Sequence, residues 1–171
     1  NRKMTDILAG KIGNTFNIHS KSRDETARLL SNFANRPFEI DGAWMASVEG
    51  FVQGIKFEPD DNLRYRAFAS AGSYAKKFGA AGNVSIIWLI KPVRTRGYAT
   101  CMVAYGSIDH HSAIDRAIEE KFLQNPDCME ALFSTKGLIL THTTGEPESP
   151  NTSLPAKLFC EILTRIREEN G

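Results

Sequence analysis

Apolar residues recur at helical spacing in several stretches of the chain. The clearest stretch predicts a helix over residues 47–57, with Ser47 as N-cap and one apolar stripe formed by Val48, Phe51, Val52 and Ile55. The same spacing predicts helices over residues 107–123 and 156–169, and a further helical candidate over 63–78. The runs between these segments are too short for typical helices. The pattern therefore predicts a mainly α fold with a few short β-strands.

The predicted strands are short runs bounded by turn residues. They lie at residues 15–20, 37–40, 84–90, 98–105 and 138–140. A length of 171 residues favours one domain with a core of its own. The domain is expected to span residues 1–171, with residues 1–15 as a loosely ordered N-terminal extension.

Composition narrows the class of protein. The chain is 42% hydrophobic and 24% charged, as in ordinary globular domains, and its formal net charge is only +1. A protein that captures long nucleic acids through their phosphates is usually far more basic, so any nucleic-acid substrate is expected to be held at one local feature. Three widely spaced cysteines predict neither a disulfide framework nor a zinc site. No signal-peptide or membrane-spanning run is visible, which predicts a cytoplasmic protein without membrane attachment.

The predicted helix over 47–57 also carries the best candidate for chemistry. Glu49, Gln53 and Lys56 are spaced at i, i+4 and i+7, so they share a stripe beside the apolar one. Glu49 falls in the first turn, where the helix dipole stabilises a carboxylate. Such a group can position water or stabilise the oxocarbenium-like charge that develops when a glycosidic bond breaks. The alternative from this pattern alone is a solvated helix face.

Several segments match the motifs of one family in register and order. They are Ser31-Asn32-Phe33, Phe38-Glu39-Ile40-Asp41-Gly42, Ser47-x-Glu49-x-Phe51-x-Gln53-x-x-Lys56-Phe57, Lys121-Phe122-x-Gln124-Asn125-Pro126 and Leu163-x-x-Ile166-Arg167. On these motifs the chain resembles the NADAR superfamily, from about residue 31 to residue 168. That superfamily includes the N-glycosidase that acts on riboflavin-pathway intermediates.

The resemblance implies a compact, mainly α, single NADAR-type domain with a pocket for ADP-ribose or a related ribosyl phosphate. It implies that Glu49 is the catalytic residue and that four further residues line the pocket: Asn32, Phe33, Gln53 and Lys56. Trp88 is matched more loosely to a pocket tryptophan. The implied reaction is hydrolysis at the ribose anomeric carbon by water, with no cofactor and no metal.

One departure from the family bears on the substrate. Typical relatives have an Asp and then Trp-Gly-x-Gly before the last helix, whereas this chain has Glu148-Ser149-Pro150-Asn151-Thr152-Ser153-Leu154-Pro155. Glu148 or Thr152 is a candidate to replace the lost group. The changed wall favours the superfamily's second activity, removal of ADP-ribose from guanine in DNA or RNA, paired with an ADP-ribosyltransferase toxin. The alternatives are an N-glycosidase of riboflavin-pathway intermediates and a non-catalytic ADP-ribose-binding module.

Basic residues elsewhere are candidates for phosphate contact. Arg94 and Arg96, with Lys91, lie in a basic loop, and the alternative is a solvated surface loop. Lys121 lies at the edge of an apolar stripe, where its ammonium is expected either in a cleft or in a structural ion pair. Adjacent histidines on a helix rarely chelate one ion together, so His110-His111 is assigned a structural or surface role.

Overall fold

The helices and strands were obtained from a computed structural model, which describes residues 3–93 and 97–171. The helices of this described part are α1 (Met4–Ile7), α2 (Glu25–Leu30), α3 (Val48–Gly54), α4 (Asn62–Phe68), α5 (Gly72–Gly79), α6 (Ile108–Gln124), α7 (Pro126–Phe133) and α8 (Ala156–Asn170). Its strands are β1 (Lys11–Ile12), β2 (Thr15–Asn17), β3 (Phe38–Ile40), β4 (Ala43–Met45), β5 (Ile86–Val93), β6 (Gly97–Ala104) and β7 (Ile139–Thr141). The predicted helices over 107–123 and 156–169 are confirmed as α6 and α8. The helix predicted over 47–57 is confirmed as α3, but it ends at Gly54, so Lys56 lies in the turn after it.

The prediction of a mainly α fold with a few short strands is wrong, because the content is mixed α/β with three small sheets in the described residues. β1 pairs antiparallel with β2, which pairs parallel with β7, and β3 pairs antiparallel with β4. β5 and β6 form an antiparallel hairpin of two eight-residue strands, from Ile86 opposite Ala104 to Val93 opposite Gly97. The sequences of β5 and β6 each look like a short apolar run. Paired along their whole length, the two strands form the longest ladder in the described residues.

The helical candidate over 63–78 is divided into α4 and α5. Gly72 adopts a φ of +60°, a left-handed conformation that a continuous helix does not contain. The carbonyl of Ser70, in the break, accepts a hydrogen bond from Ser47 Oγ at 2.8 Å. The break therefore fixes the start of α3 as well as the direction of α5.

The core lies between α3, α6 and α8 and the short sheets around them. Its fully buried side chains include Ile55, Ile114, Ile118 and Leu163, each 0% exposed. α3 packs closely on α4, because a Cβ at Gly50 would lie only 2.6 Å from the carbonyl oxygens of Ala67 and Ser70. Within residues 3–93 and 97–171, no helix is both long and apolar enough to cross a membrane.

Residues before α2 pack against this core through β2 and β7. Ile7 in α1 is 1% exposed. The side-chain amide of Asn17 donates to the carbonyl of Ile7 at 2.9 Å and to that of Thr143 at 3.0 Å. These bonds connect the N-terminal segment to the loop that precedes α8.

Candidate active site on helix α3

α3 begins where the sequence predicts it, and its first turn carries Glu49. Ser47 Oγ accepts the backbone N–H of Gly50 at 2.9 Å, which satisfies one of the free donors at the helix start. The backbone N–H of Glu49 donates to the carbonyl of Asn32 at 2.9 Å. The motif segment around Asn32 is thereby held directly against the first turn of α3.

Glu49 and Gln53 form a buried pair one turn apart. Gln53 Nε2 donates to Glu49 Oε1 at 2.6 Å. Gln53 is 6% exposed and Glu49 is 9% exposed. The carbonyl end of Gln53 lies against Gly79 of α5, because a Cβ at Gly79 would be only 1.5 Å from Gln53 Oε1. The carboxylate is therefore oriented by an amide whose own position depends on the absence of a side chain at residue 79.

The environment favours the protonated form of Glu49. Burial raises the pKa of its carboxyl, and the hydrogen bond from Gln53 and the charges of Lys76 and Lys56 oppose that rise only in part. Burial likewise lowers the pKa of Lys56, opposed by the charge of Glu49. Perturbed acids and bases of this kind cluster at functional sites because burial tunes them towards neutral pH.

Lys56, in the turn after α3, faces two side chains from outside the predicted site. It is 9% exposed, and its Nζ lies 5.9 Å from the centroid of the Tyr105 ring. The Tyr105 ring lies 4.8 Å from that of His110, in the first turn of α6. Tyr105 and His110 were not predicted as site residues, because only the packing of α6 against α3 brings them to Lys56.

The segment over residues 148–155, before α8, contacts Tyr105 and through it the surroundings of Lys56. The Tyr105 hydroxyl donates to the carbonyl of Asn151 at 2.6 Å, and it lies 2.9 Å from Ser153 Oγ. Thr152, between them, is half-buried, and its Oγ1 donates to the carbonyl of Leu154 at 3.2 Å. The segment predicted to reshape the pocket wall thus contacts a ring that also faces Lys56.

Three buried polar atoms in this region lack a hydrogen-bond partner within the described residues: Asn32 Oδ1, Gln53 Oε1 and His110 Nε2. Buried polar atoms in proteins are nearly always paired, and leaving one unpaired costs ~1–3 kcal/mol. These atoms are therefore candidates for contact with a polar group that the described residues do not supply.

Other predicted residues lie at the margin of this group. Phe33 lines a neighbouring cavity of about 430 Å³ together with Lys21, Arg28 and Gly72. Trp88 is half-buried in β5, on the face opposite the buried Ile87 and Leu89. Its backbone N–H donates to the carbonyl of Ile55 at 2.8 Å, so it is tied to the end of α3. Contact of either ring with a ligand remains a prediction.

The remaining predicted cations do not join the group in the described structure. Lys121 is 0% exposed, and its Nζ donates to the carbonyls of Leu29 at 2.7 Å and Ser31 at 2.8 Å. Burial lowers the pKa of this ammonium to about 8. Arg94 and Arg96 lie outside the described residues, and Lys91 is exposed on β5.

Metal-ligating and nucleophilic residues are scattered. No three His, Cys, Asp or Glu side chains in the described parts of the chain are arranged to hold a metal ion. The three cysteines are free thiols, and burial raises the pKa of Cys128 and of Cys160 to about 11, which disfavours the reactive thiolate at both positions. The chemistry that the described residues offer is therefore that of Glu49 and its neighbours.

Comparisons with known proteins match the chain to one protein family and to a solved fold. The profile of a family described as Bacteriophage protein GP30.3 matches residues 25–168. An uncharacterised 17.1 kDa protein from the Gp30–rIII intergenic region of Enterobacteria phage T4 is 28% identical over 145 residues, which cover 81% of this chain and 88% of that protein. The NMR structure of the E. coli protein YbiA, a NADAR-family protein, superposes with a TM-score of 0.62 at 19% identity. The superposition covers 95% of this chain and 91% of YbiA, so the chain has a NADAR-like fold.

Proposed function

The chain belongs to the bacteriophage protein GP30.3 family, and we propose that it is an N-glycosidic bond hydrolase that removes ADP-ribose from ADP-ribosylated guanine in nucleic acid. The observation that carries this proposal is the buried Glu49–Gln53 pair, together with the buried polar atoms Asn32 Oδ1 and His110 Nε2, which have no partner in the described residues. The NADAR-like fold supports the reaction class, and the altered segment over residues 148–155 supports the choice of substrate.

Glu49 is the residue that acts on the bond. In an N-glycosidic hydrolysis the bond from the ribose anomeric carbon to the base nitrogen breaks, and its electron pair leaves with the base. Water supplies hydroxide to the anomeric carbon and a proton that ends on the departing nitrogen. Because burial raises the pKa of Glu49, its carboxylate is a stronger base than an exposed one. We propose that it takes the proton of water and that its acid form returns that proton to the leaving group.

The neighbours of Glu49 hold the reactants in place. Gln53 fixes one carboxylate oxygen at 2.6 Å, and its own carbonyl end is packed against Gly79, which holds the amide in place. The unpaired Oδ1 of Asn32 can accept a hydrogen bond from a ribose hydroxyl or a base N–H. A carboxylate and a hydrogen-bond acceptor in fixed positions can hold the attacking water and the sugar in the geometry that the reaction needs.

A nucleic-acid substrate fits the rest of the chain. The low net charge of +1 favours recognition of one modified base rather than of a long duplex. Arg94 and Arg96 are proposed to contact its phosphates, and Thr152 is proposed to contact the ligand from the segment before α8. In a member of a bacteriophage family, the activity would remove the product of an ADP-ribosyltransferase toxin from phage DNA.

The direct test measures free ADP-ribose released from a guanine-ADP-ribosylated oligonucleotide. The wild type is expected to release it, and Glu49→Gln should lower the rate by ~10²- to 10⁴-fold, the usual loss when a positioned acid–base group is removed. Binding of ADP-ribose should stay close to that of the wild type, because glutamine keeps the size and the hydrogen-bonding oxygen of the side chain.

Glu58→Gln is the matched control, since Glu58 is an exposed glutamate just beyond α3, and it should act as the wild type does. Intact oligonucleotide with the wild type, beside a control enzyme that hydrolyses it, would refute the proposal. Hydrolysis of riboflavin-pathway intermediates would then identify a small-molecule glycosidase, and ADP-ribose binding without hydrolysis of either substrate would identify a binding module.

A further inference from the structure

His110 is a buried imidazole with one nitrogen in use and one free. The residue is 0% exposed, and its Nδ1 accepts the backbone N–H of Gly106 at 2.9 Å. Because Nδ1 acts as the acceptor, the ring hydrogen of the neutral imidazole lies on Nε2. That Nε2 is buried and has no partner in residues 3–93 and 97–171. The fold therefore holds a fixed N–H donor that lacks its acceptor.

The charge state of the ring is fixed as well. Burial, with the positive charges of His111 and Lys56, lowers the pKa of His110 to about 4. The ring stays neutral at physiological pH and presents a single N–H donor at Nε2. A capping role towards Gly106 needs only Nδ1, so it leaves Nε2 unexplained.

Lys56 supplies a cation beside this donor. Its Nζ and the His110 ring both face the ring of Tyr105. The ammonium is 9% exposed, and no carboxylate of the described residues forms an ion pair with it. The charge of Glu49 acts on Lys56 without direct contact, and a buried ammonium with no direct ion-pair partner is costly, as is a buried N–H without an acceptor. One anionic group with several oxygens would satisfy both.

We propose that His110 and Lys56 form a phosphate-binding subsite, in which His110 Nε2–H and Lys56 Nζ donate to oxygens of a phosphate attached to the ribose of the ligand. The subsite rests on the proposed function, because Lys56 directly follows the helix that carries Glu49 and its charge acts on that carboxyl. It goes further by assigning the phosphate-bearing end of the ligand to the Lys56 side of the site, and the bond to be cleaved to the Glu49 side. Neither the sequence motifs nor the comparisons assign a ligand contact to His110.

The test separates the two nitrogens of the ring by substitution. In His110→Asn the amide oxygen can still accept the Gly106 N–H, but the distal donor is lost; in His110→Gln an amide N–H reaches close to the position of Nε2. His111→Asn is the matched control, because its ring lies 5.9 Å away on the same helix. Calorimetric titration measures binding of ADP-ribose, ribose 5-phosphate, ribose and an unmodified oligonucleotide, and thermal unfolding establishes that each variant is folded.

His110→Asn is expected to weaken binding of ADP-ribose and ribose 5-phosphate by ~10- to 100-fold, the usual worth of a hydrogen bond to a charged group. His110→Gln should recover most of this loss, and His111→Asn should bind as the wild type does. Binding of ribose should not depend on residue 110.

Four outcomes would overturn the subsite. The first is that His110→Asn binds with wild-type affinity, and the second is that it loses as much affinity for ribose as for ribose 5-phosphate. The third is that the wild type binds neither phosphorylated probe. The fourth is that binding of the unmodified oligonucleotide depends on residue 110 in the same way, which would indicate contact with backbone phosphate. All four are binding results with unreactive probes. They are therefore separate from failure of the proposed function, which is read from hydrolysis of the modified oligonucleotide.

Discussion

At the scale of single residues, the orientation of Glu49 depends on a position that has no side chain. Gln53 holds the carboxylate by a hydrogen bond of 2.6 Å, and the carbonyl end of Gln53 occupies the space where a Cβ of residue 79 would lie. Gly79 does not adopt a left-handed φ. Alanine is therefore compatible with the backbone there, and only the contact with Gln53 opposes it.

Gly79→Ala is expected to displace the Gln53 amide and so to release Glu49. Activity on ADP-ribosylated oligonucleotide should fall by ~10- to 100-fold, since misplacement of a catalytic group by about 1 Å costs up to this much. The melting temperature should change little, because alanine is a better helix former than glycine and offsets part of the repacking. Initial rates and thermal unfolding of the same preparation measure both effects.

A double-mutant cycle with Gln53→Ala provides the control. In that background the clashing amide is absent, so adding Gly79→Ala should cause no further loss of rate. A loss that persists without the Gln53 side chain would show that residue 79 acts by another route.

At the scale of elements, the segment that contacts Glu49 is fixed by a lysine from a distant helix. Lys121 of α6 donates to the carbonyls of Leu29 and Ser31, at the end of α2, where helix carbonyls lack partners. Asn32 follows immediately, and its own carbonyl accepts the N–H of Glu49. Lys121 is thus a positioning residue between α6, α2 and α3 in the described structure.

Lys121→Met is expected to remove the ammonium from the carbonyl of Leu29 and from that of Ser31, which keeps only the N–H of Ala34 at 3.1 Å. The free energy of unfolding should fall by ~1–3 kcal/mol. Chemical denaturation measures this change, and Lys157→Met, at an exposed lysine on α8, should leave stability unchanged. Unaltered stability in Lys121→Met together with lost ADP-ribose binding would instead support the direct ligand contact that the family motif implies.

The same elements explain which features the sequence could predict. The pairing of Glu49 with Gln53 follows from helical spacing alone, because both lie in α3, whereas Lys56 lies in the turn after that helix. The approach of Tyr105 and His110 to Lys56 depends on packing between α3 and α6, which no local pattern encodes. The β5–β6 hairpin was underestimated for a similar reason, since two modest apolar runs become a long ladder only when they pair.

At the scale of the whole molecule, the candidate site costs stability that the core must supply. Glu49, Lys56 and His110 are all buried, and burial shifts each pKa away from the charged form. Each shifted unit corresponds to about 1.4 kcal/mol when the folded state must carry the charge. Sites of this kind commonly trade stability for function.

Glu49→Gln should therefore be more stable than the wild type at alkaline pH. The pKa of Glu49 is raised above its ordinary 4.5 in the folded state, so below about pH 4.5 the carboxyl is protonated in both states and costs nothing. As the pH rises from there, the unfolded state loses the proton first, and the wild type loses stability until the pH exceeds the folded-state pKa. The difference in free energy of unfolding between Glu49→Gln and the wild type should thus be small near pH 4.5 and grow with rising pH until the pH exceeds the raised folded-state pKa of Glu49. Both proteins retain His110, whose pKa is lowered to about 4, so its titration cancels in the difference.

Urea denaturation at a series of pH values, with Glu58→Gln as control, measures the trend. A difference that shrank with rising pH would mean that the charges of Lys56 and Lys76 outweigh burial and that Glu49 is held as a carboxylate.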